Sequence, residues 1–130
     1  TTAENAWFTV AMPKGWNEGA VTYQGFWTTS ATDTDGVAIS LAGVALSDND
    51  ALDTAVGTPI VVTDDAQGAA LELLVTAESA AVTIAGTPAE GDLCFFRVQR
   101  VVSDANDDMS EDMRLIGIKL FFTLNASTDD

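Results

Sequence analysis

The chain has 130 residues, of which 47% are hydrophobic, and its 20 Asp and Glu against five Lys and Arg give a formal net charge of −15. That length suits one domain with one core, and the charge removes any electrostatic footing on nucleic-acid phosphates or anionic membrane surfaces. With no His in the sequence, Ser-His-Asp or Cys-His catalysis and His-ligated zinc or iron are excluded.

Alternation with a period of two predicts strands along most of the chain. AWFTVAM (6–12) alternates until Pro13-Lys14-Gly15 stops it. GAVTYQGFWTT (19–29) sets Val21, Tyr23, Gly25 and Trp27 on one side, with Thr22, Gln24, Phe26 and Thr28 on the other. The turn-forming TSATDTDG (29–36) closes on Gly36, a residue suited to positive φ. GVAISLAGVAL (36–46) directs Val37, Ile39 and Leu41 one way, and its internal Gly43 marks a candidate bulge or bend. SDNDALDTAVG (47–57) is a loop with room for one helical turn capped by Ser47 or Asp48.

Three shorter strands follow at TPIVVT (58–63), LELLVT (71–76) and AAVTIAG (80–86), with DDAQG and Glu78-Ser79 between them. After TPAEGD (87–92), LCFFRVQRVV (93–102) places Cys94 beside Phe96 and Val98, as a small core residue. An acidic connector leads to MRLIGIKLFFTL (113–124), where Ile116, Ile118, Leu120 and Phe122 share a face, and NASTDD (125–130) is a polar tail. About eight strands without a competing helical period predict an all-β fold. The expected architecture is an antiparallel β-sandwich of jelly-roll type, one domain over 1–130, with a closed barrel as the alternative.

Candidate chemistry is sparse. The connector SDANDDMSEDM holds Asp104, Asp107, Asp108, Glu111 and Asp112. Asp104, Asn106 and Asp108 match the first three positions of an EF-hand calcium loop, but Met109 and Leu115 stand where the turn Gly and the bidentate Glu are required. Thr32–Gly36 and Asp48–Asp53 also carry carboxylates two residues apart without a full ligand set. No catalytic residue, metal ligand or cofactor site is expected. Trp16, in the turn-like PKGWNEG, is the candidate platform for a sugar ring, which would make host-surface glycans a partner.

Trp7 and Trp27 lie inside strands and are candidate core or subunit-interface residues, and Arg97 and Arg100 are candidates for the same interface. Arg97, Arg100, Arg114 and Lys119 all flank the acidic connector. Pairing of the two flanking strands as a hairpin would bring these cations near carboxylates, in ion pairs worth ~0.2–1 kcal/mol each. Arg97 and Arg100 have opposite strand parity, which leaves one guanidinium to face a neighbouring subunit.

The stretch GTPAEGDLCFFRVQRVVSDANDDMSEDMRLIGIKLFF resembles small β-sandwich proteins encoded among the virion structural genes of tailed phages, particularly marine ones. The likeness rests on AEGDL, on the aromatic-Arg strand (Phe95, Phe96, Arg97, Val98, Arg100), on the Asp-rich connector and on the final strand from Leu115 to Phe122. AWFTVAMPKGWNEGAVTYQGFW fits the same layout. The resemblance implies a non-enzymatic protein on the virion surface, a capsid decoration or cement or a head- or tail-fibre component. A homotrimer touching other virion proteins is the expectation. An acidic, Lys-poor exterior suits salt water, where a Debye length of about 8 Å or less screens its self-repulsion.

Overall fold

The computed structural model describes residues 4–125, so the expected polar tail lies outside the described residues after Asn125. Eight strands form: β1 (Asn5–Ala11), β2 (Thr22–Thr29), β3 (Gly36–Leu46), β4 (Ile60–Asp65), β5 (Leu74–Val75), β6 (Ile84–Gly86), β7 (Leu93–Arg100) and β8 (Met113–Phe121). The larger sheet runs β1-β7-β3-β4, all antiparallel, and β6 pairs parallel with β3 beyond the end of β4. The smaller sheet is β5-β2-β8, also antiparallel. Tyr23 from one sheet and Ile39, Leu41 and Phe96 from the other share one apolar cluster, so the sheets pack face to face as a β-sandwich. The strand order establishes the sandwich and does not establish the finer jelly-roll order.

The inward face of β2 is the expected one, with Val21, Tyr23 and Trp27 all enclosed. Gly25 on the same face admits Ile39 from the opposite sheet, since a Cβ there would stand 2.5 Å from Ile39 Cδ1. The Tyr23 hydroxyl reaches across the core to the carbonyl oxygens of Ile60 (2.7 Å) and Ile39 (3.1 Å). Burial pushes its ionisation well above the ordinary tyrosine range, which keeps the proton that one of those carbonyls accepts.

Four expectations change in detail. Gly43 is no bulge: β3 pairs with β7 in unbroken register from Ile39 to Leu46. The glycine instead makes room for the Phe96 ring, whose nearest carbon would be 2.8 Å from a Cβ. Gly36 is absent from the positive-φ glycines, which are Gly68, Gly86 and Gly91. It is needed for close approach, because a Cβ would meet Asn106 O at 2.6 Å and Asp65 Oδ1 at 2.5 Å. Residues 47–57 form turns rather than a helical turn, and the Asp50 carboxylate accepts from Ser47 N at 2.8 Å.

The fourth change lies in β8. Its register against β2 steps from Gly117 opposite Phe26 to Leu115 opposite Trp27, which leaves Ile116 as a bulged residue. Parity therefore inverts there. Met113 and Leu115 pack toward the core with Ile118 and Leu120, while Ile116 is 60% exposed. Strict alternation puts Ile116 and Phe122 on one face with Ile118 and Leu120, whereas the bulge parts Ile116 from that face and Phe122 is also exposed.

Candidate interaction surface

Charge is segregated by secondary structure. Among the acidic residues that the structure describes only Asp64 and Asp65, at the end of β4, lie in a strand. By contrast Arg97 and Arg100 lie in β7, and Arg114 and Lys119 in β8. The ends of the sandwich are thus anionic, and the sheet faces are apolar with scattered cations.

The outer face of the larger sheet is the broadest such surface. Its middle strand presents Ala38, Ser40 and Ala42, all buried although they face away from the core. Their taller ladder partners on β7 are Gln99 opposite Ser40, Arg97 opposite Ala42 and Phe95 opposite Val44. On the far side Val61, opposite Ser40, is exposed. Trp7 of β1 is the ladder partner of Arg97 and is 58% exposed. Arg97 Nε is buried and finds no hydrogen-bond partner among the described residues. An unpaired guanidinium N–H beside an exposed indole, bordering a row of small side chains, is a surface prepared for a planar acceptor and an apolar neighbour.

The other two expected interface residues are committed inside the chain. Trp27 is fully buried in a second cluster with Val37, Ala66, Leu74 and Met109, and its Nε1 donates to Asp64 Oδ2 at 2.8 Å. Arg100 points inward from β7 and is 7% exposed. Its Nε and Nη2 grip the two oxygens of Asp107 at 2.9 Å each, while Nη2 and Nη1 donate to the carbonyls of Met109 (2.8 Å) and Glu111 (3.0 Å).

That arrangement overturns the hairpin. β7 pairs with β1 and β3, and β8 pairs with β2, so the acidic connector crosses from one sheet to the other. A connector from Val101 to Asp112 is far longer than the ~2–5 residues of a tight hairpin loop, and Arg100 gathers it from within. Asp107 Oδ2 also accepts from Ala38 N (3.0 Å) and Asp108 Oδ1 from Gly36 N (2.7 Å). The N–H groups of Asp108 and Met109 return to Gly36 O at 3.1 Å. Met109, where a calcium loop would need glycine, is a buried plug in the second cluster. The carboxylates of Asp104, Asp107 and Asp108 are spent on backbone donors and one guanidinium, an assignment that spacing alone does not reveal, whereas Glu111 Oε1 is buried without a partner among the described residues.

Around that connector, Asp33, then burial, Asp108 and Glu111, raise the pKa of the half-buried Asp35. Among the described residues no group of three or more His, Cys, Asp or Glu is placed to hold a metal ion. Asp92, in AEGDL, is a turn lock: its carboxylate accepts from Ser47 Oγ (2.6 Å) and Ala89 N (3.0 Å).

Trp16 is fully enclosed and offers no platform to a sugar ring. The Pro13-to-Trp16 turn, closed by Trp16 N to Pro13 O at 3.0 Å, delivers the indole into the main core cluster. Cys94 is also buried there, and burial, aided by the Asp92 carboxylate, pushes its thiol up to about 11. Because the thiolate is the reactive form, a thiol reagent at pH 8 is expected to label native protein on the order of 100-fold or more slower than unfolded chain. Equal rates, measured by mass spectrometry, would contradict that placement. Neither protein-family models, curated proteins nor solved structures give a match to this chain.

Proposed function

We propose that this chain is a non-enzymatic structural protein of a phage virion, displayed on the particle as a decoration or fibre component, and that it works through contacts between copies and with neighbouring virion proteins. The observation that carries the contact reading is the outer face of the larger sheet, where exposed Trp7 is the ladder partner of Arg97 with its unpaired buried Nε. The virion setting rests on the sequence resemblance. The acidic loops suit that role because like-charged exteriors keep particles and misaligned copies apart. The alternative, a glycan-binding module, loses its candidate residue with Trp16 in the core.

Two measurements test the proposal. Mass spectrometry of purified particles is expected to find the protein at stoichiometric abundance, and its absence from virions would end the virion reading. In solution, Arg97→Ala is expected to weaken self-association at least tenfold while the melting temperature of the dissociated chain holds. Unchanged association would remove the outer face from the contact.

A further inference from the structure

We propose that β1 is a strand-pairing edge for a second copy of this chain, joining two larger sheets across a two-fold axis. The inference rests on the self-association reading above and specifies its geometry: Trp7, held between Arg97 of its own sheet and Thr9 of the second copy, carries the outer-face row across the joined edge. Exposed edge strands are templates for pairing, and proteins ordinarily protect them with charges, bulges or short length. The other edges of this sandwich show those protections. β4 ends in Asp64-Asp65, β5 and β6 have two and three residues, and β8 carries Arg114, Lys119 and the Ile116 bulge. β1, NAWFTVA, has seven residues with no charge and no proline, in a chain of net charge −15.

The hydrogen-bond parity of β1 fixes which groups face outward. Arg100 N donates to Glu4 O (3.2 Å) at one end, and Met12 N donates to Asp92 O (2.9 Å) at the other. Antiparallel bonding alternates along the strand, so the even-numbered residues between them bond to β7. Asn5, Trp7, Thr9 and Ala11 therefore turn their N–H and C=O groups to the free edge. One antiparallel self-pairing engages all four in both copies: Asn5 opposite Ala11, and Trp7 opposite Thr9. Phe8 then meets its own symmetry mate at the axis, with each ring already stacked on Phe96 at 5.1 Å.

Electrostatics selects a second copy in this orientation. The charges flanking β1 are Glu4 before it and Lys14 after it, opposite in sign. Antiparallel self-pairing sets Glu4 beside Met12 of the other copy, two residues from its Lys14. A parallel arrangement would instead bring like charges together. Two copies of −15 repel wherever their loops approach, and the uncharged edge is where they meet without that cost.

The experiment is light scattering of the full chain after size exclusion, with Thr9→Pro as the blocking variant. Thr9 N–H faces the free edge, so proline there removes an intermolecular donor while sparing the ladder to β7. The expected results are a particle of twice the chain mass for the parent and a monomer for Thr9→Pro with retained far-ultraviolet β signature. A second probe, Trp7→Cys/Thr9→Cys, is expected to cross-link as a dimer on oxidation, since directly paired strand residues lie within disulfide reach. This probe decides the matter should the proline variant not fold. A trimer, or an oligomer that ignores Thr9→Pro and forms no cross-link, would overturn the two-fold edge and leave self-association standing. A monomeric parent would overturn both.

Discussion

Replacing Arg100 by Ala should destabilise the domain by about 3–5 kcal/mol, the penalty for leaving one member of a buried ion pair uncompensated. Asp107 is 2% exposed at its side chain, and Arg100 is the cation that pairs both of its oxygens. The carbonyls of Met109 and Glu111 lose their donors at the same time. Met109 would then be free to leave the cluster around Trp27, which loosens the crossover between the sheets. The readout is urea or thermal unfolding monitored by Trp fluorescence, with a fall of roughly 10–20 °C in Tm for a domain of this size. An unchanged Tm would mean the guanidinium does not organise the connector. The paired change Arg100→Leu with Asp107→Leu should cost less than Arg100→Ala alone, because it strands no charge.

Trp16→Ala should cost a similar amount, about 3–5 kcal/mol, through the cavity left by a fully buried indole. The expected loss is of folding stability, visible in the absence of any ligand. Trp16→Phe should be far milder, since it keeps most of the ring and removes an indole N–H that is buried without a partner among the described residues. Were Trp16→Ala to melt with the parent and lose only binding to a glycan, the residue would be a surface platform after all. The turn that carries it is fastened to the segment after β8 by Asn17 N to Thr123 O (2.9 Å) and Asn125 N to Gly15 O (2.6 Å). Loss of Trp16 should therefore also expose residues 122–125 to protease.

Trp16 shows where local pattern and tertiary context part. A Trp between Lys14-Gly15 and Asn17-Glu18 sits in turn-forming sequence, and turns are ordinarily at the surface. Nothing local records that this turn folds back over the open end of the sandwich. Arg100 is the complementary case. Its strand parity, opposite to that of Arg97, was legible, and so was its nearness to an acidic run. That it turns inward and claims one carboxylate depended on which sheets β7 and β8 joined, a question of long-range pairing.

The amino-acid sequence by itself determined the β-class, the number and order of strands, and the inward sets on β2, β3 and β7, because a two-residue period forces alternate side chains to opposite faces. It also placed Arg97, Arg100, Arg114 and Lys119 on the two strands that flank the acidic connector. The tertiary structure alone decided that the acidic connector is an inter-sheet crossover, that Ile116 is extruded by a bulge, and that Gly36 and Gly43 serve close approach. It likewise decided that β1, alone among the described edge strands, is long and uncharged. Those outcomes depend on which strands become neighbours, and pairing energy comes from contacts between residues far apart in the chain, as Asp107 with Ala38 and Trp27 with Asp64 illustrate. Periodicity says which face a residue takes, and only the assembled sheets say what that face meets.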